Sequence, residues 1–297
     1  MKILIVGGTS VIGFNINKFL KKQKIDIDFT YFRNVLHLDH GHYLDITDRD
    51  STLELIKKIK PDIIIHASAL ANVDLCETDR SLAHMLNVLG VENVVNGAMI
   101  SKSKIVYIST SAVFDGKKPI YFEDDEVSPV SYYGLTKSKG EEIVKMSGLP
   151  YLILRIDQPY CWVEKWQHTN SVIRVIQALR AKQTFKEITD WYSTPTYVPD
   201  FVKALEKLIL ENITGIFHLV GSDYINRYDW SLEVASIFNL DKNLIQPITS
   251  DTLNLSAKRT NVNLSNQKIF QKTGIKLCGI KEGIEKMLDE ENAENFD

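Results

Sequence analysis

Met1-Lys-Ile-Leu-Ile-Val-Gly7-Gly-Thr-Ser-Val-Ile-Gly13 decides the fold. Ile3 to Val6 are apolar without alternation, as in a strand buried on both faces. The glycine turn follows at once, and Phe14-Asn-Ile-Asn-Lys-Phe-Leu20 then takes up helical spacing. A strand, a glycine turn and a helix start together make an anion site. Backbone N–H groups point outward from the helix N-terminus, and the helix dipole favours negative charge there. Gly7 allows the tight turn and Gly13 lets the helix pack close to the strand. Ser10 stands where a dinucleotide fingerprint usually has its middle glycine, and its hydroxyl is expected to donate to a phosphate instead. Thr9, Val11 and Ile12 complete the expected cofactor turn.

Composition narrows the class. The chain has 297 residues, 44% hydrophobic and 25% charged, enough for one large domain or two interleaved ones. A net charge of -3 gives no reason to expect nucleic acid or an anionic membrane as partner. The N-terminal apolar run is too short for a signal peptide, and no run is long enough to cross a bilayer. Cys76, Cys161 and Cys278 lie far apart, which suits a reducing cytoplasm and argues against a disulfide framework or zinc cluster. The acidic stretch from Asp289 is expected to fray.

Downstream the chain alternates strands and helices. Asp26–Phe32 reads as the second strand, and Arg33 follows it with no carboxylate beside it. A guanidinium there suits a ribose 2′-phosphate, so NADP(H) is expected, with NAD(H) as the alternative. Asp45 is a candidate acceptor for the adenine amino group or a local turn carboxylate, and Thr47 or Asp48 is expected to cap the next helix. The strand Ile63–Ile65 runs into His66, expected to be a half-buried strand residue, and into small Ala67, Ser68 and Ala69, which would let a cofactor pass close. One helix is expected over 81–101, with Asn87 in a structural hydrogen bond.

The strand from Lys104 ends in Ser109, Thr110 and Ser111, at the sheet edge where open α/β sheets bind ligands. A helix from Tyr132 to about Met146 carries Tyr133 and Lys137, four residues apart on one face. A lysine ammonium beside a tyrosine lowers the phenol pKa and fits it for proton transfer to a carbinol oxygen. Tyr151–Ile156 is a further strand. Trp162, Trp166, Trp191, Tyr192 and Tyr197 then suggest a substrate lid or a small second core. Gly215–Gly221 returns to the sheet, and helices are expected at Trp230–Phe238 and Ile280–Leu288, separated by a loop with Lys258 and Arg259.

Along essentially its whole length the chain resembles the extended short-chain dehydrogenase/reductases. Within them it is most similar to the dTDP-4-dehydrorhamnose reductase family. The likeness is carried by Asn72-Val-Asp74, Ser109-Thr110, Val113-Phe-Asp-Gly116, Tyr133-Gly with Lys137, Ser193-Thr-Pro-Thr-Tyr197 and Ala257-Lys-Arg259. It implies an α/β fold: a Rossmann-type doubly wound parallel sheet with a smaller C-terminal α/β substrate-binding domain. The expected NADP(H) domain covers 1–157 with a return segment about 196–222, and the substrate domain 158–195 and 223–297. Thr110, Tyr133 and Lys137 fall on the family's catalytic positions, and Ile46 joins the cofactor set. Val73, Ser111, Ala112, Phe114, Gln158, Trp191, Thr194 and Arg259 are the expected substrate contacts.

The likeness implies NADPH-dependent reduction of the 4-keto group of a nucleotide-linked deoxysugar, in dTDP-rhamnose or polysaccharide precursor synthesis. Departures at Ser111-Ala112, Gln158-Pro-Tyr-Cys161 and Thr260 all fall in the expected sugar pocket. Two alternatives stay open. One is a binding subunit like methionine adenosyltransferase β, and the other is an NAD-dependent nucleotide-sugar epimerase or dehydratase. The family also admits homodimers, for which Gly140 would permit close helix packing, and Mg²⁺ at a carboxylate-lined interface, although no acidic cluster here assigns a metal.

Overall fold

The computed structural model describes residues 1–33 and 39–294. Its strands are β1 Lys2–Val6, β2 Asp26–Tyr31, β3 Gly41–Tyr43, β4 Ile63–His66, β5 Lys104–Thr110, β6 Tyr151–Ile156, β7 Phe185–Ile188, β8 Tyr192–Ser193, β9 Gly215–His218, β10 Ile225–Asn226 and β11 Ile245–Ile248. Seven of them form one sheet in the order β3-β2-β1-β4-β5-β6-β9. Every pair in it is parallel. The order reverses beside β1, at the switch point where a doubly wound sheet binds its ligand.

The helices are α1 Val11–Lys22, α2 Arg49–Ile59, α3 Val73–Thr78, α4 Arg80–His84, α5 Gly90–Ser101, α6 Tyr132–Met146, α7 Ser171–Arg180, α8 Val198–Leu210, α9 Arg227–Ile237, α10 Gln267–Thr273 and α11 Ile280–Glu294. One face of the sheet buries Ile3, Ile5 and Phe29 against α1 and α8. The other buries Leu4, Val6, Ile64 and Tyr107 against α2, α5 and α6. The apolar runs therefore lack alternation because both faces are covered. A separate core, with Tyr160, Ile176, Trp230 and Ile284, joins α7, α9 and α11. It is flanked by the two small sheets β7–β11 and β8–β10.

Several expectations are corrected. The single helix expected over 81–101 is interrupted by a π-helical turn at Met85–Leu89. That turn carries Asn87, whose Oδ1 accepts the Leu70 N–H at 2.8 Å and whose Nδ2 donates to Leu70 O and Thr136 Oγ1. Extra residues in the helical turn are how such a side chain reaches a loop. Asp289–Glu294 does not fray: it completes α11, with Tyr197 donating to Glu290 and Arg180 paired with Glu291. Gly140 faces inward, where a Cβ would lie 2.2 Å from the Tyr107 hydroxyl, so its smallness serves α6–β5 packing rather than a partner helix. Among the described residues no helix is long and apolar enough to cross a membrane.

Candidate active site

The C-terminal ends of β1, β4, β5 and β6 open on a cleft of about 1070 Å³, whose far wall comes from α7, β8, α9 and the loop at 258–262. Of the residues read from the sequence, Gly7, Thr9, Ser10, Val11, Ile12, Arg33, Asp45, Ala67, Ser68, Ala69, Val73, Thr110, Ser111, Ala112, Tyr133, Lys137, Gln158, Trp191 and Arg259 line it.

Gly7 adopts φ +84°, and a Cβ on it would lie 2.8 Å from the Ser68 backbone. A Cβ on Gly13 would meet the Gly7 carbonyl at 2.3 Å. Both glycines are thus required by the turn, and Gly13 lies beneath it rather than on the cleft wall. Ser10 is the N-cap of α1. Its Oγ accepts the Gly13 N–H at 3.0 Å and donates to Gly7 O at 2.8 Å. The expected donation from Ser10 to a phosphate is therefore corrected, because its proton is already given to the chain. The first N–H groups of a helix have no intrahelical partner. Val11 and Ile12 bring theirs to the cleft, with Ala67, Ser68 and Ala69 opposite and Arg33 at the rim. This small-walled cradle at a helix N-terminus fits a dinucleotide diphosphate.

Asp45 accepts both the N–H and the hydroxyl of Thr47, at 2.9 and 2.7 Å, which makes it a turn carboxylate that also borders the cleft. Ile46 is off the wall, buried under Gly90. Phe114 turns inward to stack on Tyr121 at 4.4 Å, and Thr194 is buried behind Asp157, so neither reaches the cleft.

Ser131 caps α6 by accepting the Gly134 N–H, which sets Tyr133 in the first turn of the helix. Burial pushes its phenol up to about 12, and a hydrogen bond from the Thr110 side chain pulls the other way. Lys137 is only 3% exposed. Its Nζ donates to Ile108 O at 2.7 Å and sits 4.1 Å from the centre of the Tyr107 ring. Burial pushes it down to about 7, against the pull of Glu141. The expected lowering of the Tyr133 pKa by Lys137 is corrected: desolvation raises the phenol, and the group that pulls it down is Thr110. Beneath them His66, 2% exposed, stacks on Tyr107 at 5.8 Å, and burial holds it neutral, near 3. It is more deeply buried than expected and has no part in the cleft wall.

The far wall is made of charged pairs. Arg259 forms a fork on Asp74, one N–H to Oδ1 at 3.0 Å and another to Oδ2, and holds that carboxyl below its usual range. Arg227 donates to Gln158 Oε1 at 3.0 Å and Ser171 Oγ at 2.9 Å, and pairs with Glu187, which also takes Arg174. The Trp191 ring lies between the two guanidiniums, 5.5 Å from Arg227 and 5.4 Å from Arg259. Gln158 holds a left-handed φ of 37°, uncommon outside glycine. Trp191 and Tyr192 reach the cleft, but the expected aromatic lid does not form as a unit. Trp162 donates to Met287 O and Tyr197 is buried against Tyr160, both in the second core. Sequence reading missed Asp157, Arg174 and Arg227, although a carboxylate directly after a β-strand was a signal for the first.

Among the described residues one group of side chains could hold a metal, Asp26, Asp28 and His40. It involves the N-terminal end of β2, opposite the cleft, and Asp28 is paired there with Lys2 and His42. Mg²⁺ gains no support in the cleft.

A doubly wound parallel sheet with a glycine turn on β1 and a Thr/Tyr/Lys group on β5 and α6 defines an extended short-chain dehydrogenase/reductase. Within that class the chain belongs to the RmlD substrate binding domain family, whose model matches residues 1–293. It is 30% identical over 287 residues to dTDP-4-dehydrorhamnose reductase of Aggregatibacter actinomycetemcomitans, covering 92% of this chain and 94% of that one. It is 28% identical over 281 residues to methionine adenosyltransferase 2 subunit beta of Xenopus tropicalis, covering 92% and 83%. In structure it is similar to the dTDP-4-dehydrorhamnose reductase of Bacillus anthracis in complex with NADP, with a TM-score of 0.87 at 26% identity over 97% of this chain and 99% of that one.

Proposed function

We propose that the protein reduces the 4-keto group of a nucleotide-linked 6-deoxysugar with NADPH. The carrying observation is the pairing of Thr110 with a desolvated Tyr133 in the cleft that begins at the Gly7 turn. NADPH bound there would supply the hydride. A phenol raised to about 12 keeps its proton throughout the neutral range, so Tyr133 is set to donate to an alkoxide rather than to accept. Thr110 orients the carbonyl oxygen through its hydroxyl. Lys137, pushed down to about 7, offers its amino group as a donor for a ribose hydroxyl. The α1 N-terminus and Arg33 take the diphosphate and the 2′-phosphate. The expected substrate-binding segments, 158–195 and the described part of the one from 223, would hold the sugar nucleotide. Arg259 and Trp191 offer charge to its diphosphate and a ring to its base.

The test is NADPH absorbance with dTDP-4-keto-6-deoxy-L-mannose generated in situ. Rapid oxidation supports a sugar-nucleotide reductase. NADPH binding without oxidation favours a second reading, a binding subunit. The observation behind that reading is that subunit-beta relatives match this chain over as much of its length as the reductases do.

A further inference from the structure

Asp157 is a cleft carboxylate that the proposed reaction leaves unused and that, unlike Asp45, stands beside Thr110. It follows β6 directly and is 8% exposed. In the sheet Thr110 pairs with Ile156, so Asp157 stands one residue past the neighbour of the hydroxyl that meets Tyr133. Adjacent strands lie about 4.8 Å apart, so the side chains at these two strand ends are close enough to meet neighbouring groups of one small ligand.

The surroundings of this carboxylate are incomplete. Its Oδ2 accepts the Thr194 N–H at 3.0 Å, and the Ser111 side chain and the Gln158 backbone N–H hydrogen-bond to it as well, three donors in all. A carboxylate offers about four acceptor sites. The cation that faces it is Arg227, from α9, and that guanidinium is already engaged by Glu187, Gln158 and Ser171. The remaining titratable groups within its influence are phenols, Tyr133 from α6 and Tyr224 from the loop before β10, and its charge raises both. Burial raises Asp157 itself to about 6, as expected of an anion short of partners. A buried charge with spare acceptor capacity, aimed into a cleft, is a demand for a donor.

We propose that Asp157 determines specificity by accepting a hydrogen bond from the hydroxyl on C3 of the sugar, the ring carbon beside the reduced C4. This rests on the reductase reading. Of the two ring neighbours of C4 in a 6-deoxysugar, C3 carries a hydroxyl and C5 a methyl group. A site that satisfies a buried acceptor through a substrate hydroxyl rejects the analogue that lacks it, because the acceptor is then left unpaired.

The deciding experiment is calorimetric binding of dTDP-L-rhamnose and of its 3-deoxy counterpart, with NADP⁺ present, to the wild type, Asp157→Asn and Asp157→Ser. The wild type should prefer the hydroxylated sugar by at least about tenfold, the scale of a hydrogen bond to a charged group. Both variants should lose most of that preference while their NADP⁺ affinity stays within about twofold. A residue that only braced the Thr194 loop would weaken both sugars equally. Equal binding of the two sugars by the wild type, or a preference kept in both variants, overturns the assignment of Asp157 and leaves the reductase reading standing on NADPH oxidation. Failure of both sugars to bind the wild type overturns both.

Discussion

The two walls of the cleft are built on opposite principles. The cofactor wall is backbone and small side chains: the Gly7 turn, the first turn of α1, and Ala67, Ser68 and Ala69. Its contacts are local, such as Ser10 to Gly13 and Gly7. The far wall is side-chain charge, and its pairs join residues distant in sequence, such as Arg259 with Asp74 and Arg227 with Glu187. One wall fits a ligand by leaving room and presenting N–H groups. The other holds cations and anions in mutual check, so a ligand there binds by exchanging partners.

The largest effect should come where the walls meet. Tyr133→Phe is expected to cut kcat by at least about a hundredfold with NADPH binding nearly intact, since it removes only the proton donor. A retained rate, measured by NADPH absorbance, would remove Tyr133 from that role.

The next prediction concerns the far wall's cost in stability. The folded-state pKa of Asp157 lies near 6, above its ordinary 3.8, so the fold favours the protonated acid. That contribution is present below about pH 4 and is lost as pH rises through 6. Asp157→Asn should therefore be more stable than the wild type at pH 8, by about 3 kcal/mol, with the difference closing towards pH 4. Denaturant titrations at the two pH values decide it, and an offset independent of pH would contradict the burial argument.

The smallest effect belongs to the cofactor rim. Arg33→Ala should lower the preference for NADPH over NADH by about tenfold, the worth of one charge-assisted contact, and leave NADH binding alone. Unchanged preference in paired Kd measurements would make Arg33 a solvated loop residue.

The same contrast explains what could be read from the sequence. Most strands of the central sheet, its parallel order, a cap at Thr47 or Asp48 and the span of α6 followed from local patterns, although the strand expected over 43–48 lies at Gly41–Tyr43 and the strands of the two small sheets went unread. Gly7, Gly13, Thr110, Tyr133 and Lys137 could be singled out because each sits at its own strand end or helix turn. Phe114 and Thr194 were misjudged because the facing of a loop side chain depends on what packs behind it, here Tyr121 and Asp157. The π-helical turn at Met85–Leu89 answers to Leu70, fifteen residues or more away, and no local periodicity announces it. Arg227 acquires its place only when α9 meets β7, a contact no spacing rule contains.

The chain leaves the central sheet after Ile156 and returns near Tyr197, and these two passages are sewn together. Thr196 N–H donates to Asp157 O at 2.8 Å, Asp157 N–H to Thr196 Oγ1 at 3.1 Å, and Tyr160 N–H to Thr196 O at 2.9 Å. Thr196 Oγ1 in turn reaches Leu219 O at 3.0 Å, and Gly221 N–H reaches Pro195 O at 2.9 Å. A double crossing fastened in this way is a weld and not a hinge. Heat should therefore melt the sheet and the second core in a single cooperative transition.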